Sequence, residues 1–92
     1  MDKKRAIVTV LGADRVGIVA AISAVLAQNN VNIEDIAMTL MGEMFTMVMY
    51  VDITPVESDL LGLKHSLEEK GQELGLQVMI QREEVFRYMH RV

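Results

Sequence analysis

Cysteine and tryptophan are absent from this sequence of 92 residues, proline occurs once, and aromatic residues make up 4% of it. Each scarcity removes a class of function. Without cysteine there is no disulfide, no thiolate nucleophile and no zinc or iron–sulfur centre held by thiolates. The lack agrees with a reducing compartment. Cations are also in the minority: 9 Lys and Arg against 13 Asp and Glu, a formal charge of -4. That balance disfavours non-specific nucleic-acid binding, in which Lys and Arg replace the counterions of phosphates. Long hydrophobic runs are missing too. Gly17–Ala27, interrupted by Ser23, falls short of the ~20 apolar residues of a membrane-spanning helix. The opening Met1-Asp2-Lys3-Lys4-Arg5, followed by Ala6–Leu11, has the layout of a signal peptide. Asp14 and Arg15 break the apolar run too early, and no cleavage site follows. We expect a soluble, cytoplasmic protein with neither nucleic acid nor membrane as partner.

What is plentiful is apolar side chain. The chain is 51% hydrophobic and holds 8 Met, which excludes intrinsic disorder. At this length we expect a single domain over residues 1–92. A domain so small buries only about 60% of its unfolded surface, so the apolar excess points to burial against a second subunit.

Strand-like and helix-like segments alternate. Lys4–Leu11 is rich in Ile, Val and Thr and apolar on both faces, which suits a central strand, with a break at Gly12-Ala13-Asp14. From Arg15 to Gln28, Ile18, Val19, Ile22, Val25 and Leu26 recur at helical spacing. Asp14 is placed to cap this helix by accepting the N–H of Val16 or Gly17. Ala20, Ala21, Ala24 and Ala27 fill the gaps, so the helix is apolar nearly all round. A helix on one sheet face needs one stripe; a second suggests contact with another helix or subunit. Asn29-Asn30 ends it.

Val31–Met41 and Met44–Ile53 read as a hairpin around Gly42-Glu43, with Gly42 suited to the positive φ of a type II′ turn. Thr54, Pro55 and Glu57 form a capping box for a second helix, with Ser58 as a later alternative cap. Leu60, Leu63, Leu67, Gly71 and Leu74 are its buried stripe, and Gly75 stops it. Leu76–Arg82 is a fourth strand, and Glu83–Val92 places Val85, Phe86 and Met89 at the spacing of a short helix. The order β-α-β-β-α-β, crossed right-handed, gives a ferredoxin-like α+β fold. We expect a four-stranded antiparallel sheet in the order 4-1-3-2, both helices on one face, and a C-terminal helical tail.

A catalytic set does not emerge. His65 and His90 stand apart, without a carboxylate or second His at metal-ligand spacing. Gly12 and Gly17 are spaced as in a P-loop, but Ile18-Val19 stands where Lys and Ser/Thr belong. Met38, Met41, Met44, Met47 and Met49 could suggest Cu(I). Alternation splits them between two faces, which fits core or interface filling better. An RNA-binding use of the fold needs aromatics on the central strands for base stacking, and the first strand has none. We expect no enzyme, no cofactor and no metal.

One stretch carries more. Gly12, Asp14, Arg15 and Gly17 lead into a helix N-terminus, whose free N–H groups and positive dipole end suit a carboxylate or phosphate. Asn32 offers a donor and an acceptor at the start of the next strand. The same residues also have plain structural uses, as cap, turns and loop partner.

Gly12-x-Asp14-Arg15-x-Gly17-Ile18, Leu26 late in the helix and Val31-Asn32-Ile33 resemble the ACT domain family. With the tail, the chain is similar to stand-alone ACT proteins of a small bacterial and archaeal family. The resemblance implies regulatory binding of a small ligand, an amino acid, at the interface of a homodimer, with Gly12, Asp14, Arg15, Gly17 and Asn32 as the ligand-binding residues. Arg15 and the helix N-terminus would meet the carboxylate, and Asp14 with Asn32 the amino group. Serine-binding members carry His at the position of Gly12 and Asn at that of Asp14, so the resemblance does not extend to serine binding in that style. It also implies side-by-side pairing through Val31–Met41 and the helix Val16–Ala27. The alternative is a ligand-free subunit that docks a partner through its apolar first helix and C-terminal tail.

Overall fold

The computed structural model describes residues 3–89, without the side chains of Phe86, Tyr88 and Met89. Within that span the expected path is followed: β1 (Arg5–Ala13), α1 (Ile18–Gln28), β2 (Asn32–Met41), β3 (Met44–Asp52), α2 (Leu60–Leu74), β4 (Gln77–Arg82) and α3 (Glu83–Met89). The strands form one antiparallel sheet in the order β2-β3-β1-β4. β1 is central and β2 and β4 are the edges, as the fold class requires.

Alternation along the strands builds the core. Ala6, Val8 and Val10 of β1 and Phe45, Met47, Met49 and Val51 of β3 are buried under the helices. Ile18, Ile22, Val25 and Leu26 of α1 and Leu63 and Leu67 of α2 close onto them. Met47 and Met49 are thus core side chains, as the splitting of the methionines requires. β2 departs from strict alternation. A register shift between Ile33 and Asp35 sets Ile33 opposite Val51 and Ile36 opposite Met49. The bulge turns both Ile residues to the core side and leaves Glu34 out of the ladder.

Three local expectations are corrected. β1 does not break at Gly12: Gly12 pairs with Phe45 and Ala13 with Met44, and the Asp14 N–H donates to the Glu43 carbonyl at 2.9 Å. The hairpin reaches that far, so its ladder claims the backbone. α1 begins at Ile18, and its N-cap is Gly17 at φ 90°, with no side chain capping it. Asp14 is therefore not the cap. The Thr54 capping box does not form either. Residues Thr54–Asp59 make a 3-10 segment with Pro55 in its first turn, and Asp59 caps α2 by accepting the Gly62 N–H at 3.3 Å. Thr54 is engaged elsewhere: its hydroxyl accepts the Lys4 N–H at 2.9 Å and donates to Asp52 at 2.6 Å.

The stops and the turn are as expected. Asn30 at φ 60° ends α1, with the Val31 N–H on the Leu26 carbonyl and the Asn30 N–H on the Ala27 carbonyl, the Schellman pattern. Gly75 at φ 71° does the same for α2. Gly42 has φ 61° between Met41 and Met44 while Glu43 keeps a negative φ, in agreement with a type II′ hairpin. The expected tail helix is present as α3; the Phe86 and Met89 side chains, His90 and the end at Val92 lie outside the described residues.

Candidate functional site

The end of β1 and the β1–α1 loop together carry four of the five candidate residues, Gly12 on the strand and Asp14, Arg15 and Gly17 beyond it. Asp14, Arg15, Val16 and Gly17 are exposed, Val16 to 98%. The loop leans on the α2–β4 turn through Gly12 and Arg15. A Cβ on Gly12 would lie 2.5 Å from Leu76 Cδ2 and 3.4 Å from the Gly75 carbonyl, so glycine here permits close packing of loop on turn. The Arg15 guanidinium donates to the Leu74 carbonyl at 3.3 Å. α2 has no basic residue in its own last turn, and Arg15 supplies the cation that its dipole favours there.

The N-terminus of α1 stands open beside this loop. Neither a capping side chain nor an acidic residue occupies its first turn, so its first N–H groups remain able to receive an anion. The fifth candidate lies elsewhere. Asn32 pairs with Asp52, and Asp52 with Arg5, at the start of β1. Gly12 and Ala13 are at the other end of that strand. Within one protomer the fold brings Gly12, Asp14, Arg15 and Gly17 together and leaves Asn32 at the opposite end of the sheet.

That opposite end holds a polar cluster that periodicity did not reveal. Glu34, freed by the bulge, accepts hydrogen bonds from Arg5 and from Lys3, the latter at 3.5 Å. The Arg5 hydrogen bond, ahead of its charge, holds the Glu34 carboxyl below the usual carboxylate range, and Arg5 is raised in turn. Arg5 also lies over the Tyr50 ring, 5.5 Å from its centre. The Tyr50 hydroxyl donates to Glu83, which also accepts from Arg87 at 3.1 Å. The Glu83 contact, then burial, pushes the Tyr50 phenol up. Asp52 is lowered by the hydroxyl and then the N–H of Thr54. A concavity of about 160 Å³ opens among Lys3, Lys4, Arg5, Arg82, Glu83, Glu84 and Arg87. Its cations are already committed, Lys4 and Arg82 to Glu57 and the others as above. The cluster is a clasp holding α3 to the sheet. The opposite charges at residues 3–5, 34 and 82–87 were visible in the sequence, but most of their pairings are long-range.

Among the described residues, no group of His, Asp or Glu is arranged to hold a metal ion. No helix among them is long and apolar enough to cross a membrane. His65 is exposed on α2.

A sequence model of the ACT domain matches residues 4–81. The chain belongs to the ACT domain family. This ACT domain is 53% identical over 88 residues to a UPF0237 protein of Methanocaldococcus jannaschii, covering 96% of this chain and 98% of that one. The solved structure of an ACT domain protein from Streptococcus pneumoniae matches it with a TM-score of 0.81 at 36% identity, over 92% of this chain and 96% of that chain. A putative glycine cleavage system transcriptional repressor matches with a TM-score of 0.69 at 28% identity, over 89% of this chain but 47% of its own. Single-ACT-domain relatives occur in archaea and bacteria. ACT domains are small-molecule-binding regulatory modules that often dimerise.

Proposed function

We propose that this ACT domain is a non-enzymatic, cytoplasmic regulatory module that binds an amino acid where two copies meet. The observation that carries this reading is the division of the candidate residues between the two ends of the sheet. Antiparallel pairing of two β2 edges about a two-fold axis sets Asn32 of the partner subunit at the Met41 end of the joined sheet. The Gly12–Gly17 loop lies at that end. The open N-terminus of α1 and Arg15 would receive the carboxylate. Asp14 and Asn32 of the partner subunit would receive the ammonium group. No cofactor is required.

The exposed surface supports the pairing. Met38 and Leu40 stand exposed on the helix side of β2, beyond the cover of α1. Ala20, Ala24 and Ala27 expose a stripe on α1 without long or charged side chains, which permits close approach of a second helix.

A thermal-shift screen of the full chain against the twenty amino acids tests the reading. A ligand at 100 times its Kd stabilises the fold by about 2.7 kcal/mol. Asn32→Ala is expected to abolish the shift while leaving unfolding cooperative; retained binding would overturn the site. A second reading draws on the structural work that Gly12 and Arg15 already do against Leu76 and Leu74. If the loop motif serves packing alone, the chain is a ligand-free subunit that docks a partner through α1 and its tail. Absence of any amino-acid shift, together with a stable complex in pull-down, selects that reading.

A further inference from the structure

Arg15 differs from the other arginines described. Arg5, Arg82 and Arg87 each face a carboxylate, of Glu34, Glu57 and Glu83. Among the described residues no carboxylate pairs with Arg15, and its hydrogen bond goes to the neutral Leu74 carbonyl at 3.3 Å. That contact falls where α2 needs a donor. The Gly75 and Leu76 N–H groups return to the Gln72 and Gly71 carbonyls, the pattern of a Schellman stop. The Leu74 carbonyl, in the last turn, has no intrahelical donor and takes Arg15 instead. Only Nη1 is spent on it. The Nε–Nη2 edge stays free, a planar fork that grips a carboxylate with two hydrogen bonds. The backbone leading to Arg15 is fixed as well. The Glu43 carbonyl holds the Asp14 N–H at 2.9 Å, and Gly12 packs on Leu76 and Gly75. What is left to order is the long, exposed side chain, and Leu74 anchors it.

We propose, building on the amino-acid site above, that the α2–β4 turn is its positioning element. The turn holds Arg15 by one nitrogen so that the free edge meets the ligand carboxylate, and the bound ligand in return tightens the turn. Coupling of this kind is reciprocal: what the turn adds to affinity, the ligand adds to the stability of the turn. The turn feeds into β4, the sheet edge remote from β2, and α3 follows β4 without a linker. Occupancy of the β1–α1 loop is thereby felt on the side of the sheet away from the β2 edge.

The test compares the full chain with Gly75→Val, Gly75→Asn and Arg15→Met. A Cβ at Gly75 meets nothing within 4 Å, so substitutions there act through the backbone at φ 71°. Valine does not hold that conformation; asparagine does, as Asn30 does at φ 60°. The probes are the twenty amino acids, one at a time. Affinity is read by calorimetry, and the turn by amide hydrogen exchange at Gly75 and Leu76. An amino acid that binds is expected to slow both amides several-fold and to leave Gly62, at the other end of α2, unchanged. Gly75→Val is expected to weaken its binding about 2- to 10-fold, the cost of immobilising one long side chain, while Gly75→Asn stays near wild type. Exchange at the turn that does not slow on binding, or equal affinity in Gly75→Val and wild type, overturns the proposal and leaves the amino-acid site standing. Binding of none of the twenty overturns the amino-acid reading and the proposal with it. Should Gly75→Val fail to fold, the ligand-free chain decides. Arg15→Met is expected to speed exchange at Gly75 and Leu76 several-fold; rates equal to wild type overturn the proposal.

Discussion

Gly71 and Gly12 are both glycines at close approaches, yet they differ in what a methyl group would meet. At Gly71 the added Cβ would lie 2.7 Å from Val78 Cγ2 and 3.0 Å from the Leu76 carbonyl, so α2 must lift from β4. Overpacking of this kind costs typically 1–3 kcal/mol, and the helix gains about 1 kcal/mol from Gly to Ala. Gly71→Ala is expected to lower stability by up to about 2 kcal/mol. At Gly12 the obstacle is the tip of the Leu76 side chain, which can swing aside, so Gly12→Ala stays within about 1 kcal/mol of wild type. Thermal unfolding of the two variants checks the order. The pH response also belongs to single residues. Glu34 and Asp52 have lowered pKa values in the fold, so their contribution is present above the ordinary carboxylate range and is lost as pH falls through the folded values. Tyr50 is raised; its contribution is present below the ordinary phenol range and is lost as pH rises through the folded value. Stability in denaturant is expected to fall at both limbs. Glu34→Gln should shallow the acid limb and Tyr50→Phe the alkaline one; limbs identical to wild type would refute the assignments.

Helix stops were easier to read than helix starts. Asn29-Asn30 and Gly75 end α1 and α2 where the sequence suggests, because a C-cap rests on one residue's tolerance of positive φ. A start depends on which of several competing side chains reaches the free N–H groups, and tertiary contacts decide that. Thr54 had the right spacing for a cap, but Lys4 and Asp52 hold its hydroxyl. Asp14 stood before a helical run, but the Glu43 carbonyl in the β2–β3 turn holds its N–H. The functioning cap is Asp59, so Asp59→Ala is expected to cost about 1 kcal/mol. Glu57→Gln, by contrast, should reveal only the loss of exposed pairing to Lys4 and Arg82, within about 1 kcal/mol. A reversed order in chemical denaturation would restore the capping box. The bulge in β2 was equally hidden, since Ile33 and Ile36 sit on one face only after one residue is set aside.

For the molecule as a whole, strand order and the buried faces follow from alternation and handedness, whereas the candidate site does not follow from one chain's geometry. Spacing along the sequence brings Asp14, Arg15 and Gly17 near Asn32 through the length of α1, but a strand's length separates them in space. If the amino-acid site is shared across a two-fold axis, complementation reveals it. Asn32→Ala and Arg15→Ala are each expected to lose the ligand-induced thermal shift when assayed alone. Mixed in equal amounts and allowed to exchange, half of the dimers contain one chain of each kind. In such a dimer, one site combines the intact loop of the first chain with the intact Asn32 of the second, while the other site carries both lesions. Binding is therefore expected to return to about a quarter of the wild-type sites, measured by calorimetric stoichiometry. A site contained within one protomer gives no recovery on mixing. Arg15→Lys separates the two duties of Arg15: a lysine keeps a cation near the Leu74 carbonyl but lacks the planar fork that grips a carboxylate. Retained stability with weakened binding is the outcome that assigns Arg15 to the ligand as well as to the fold.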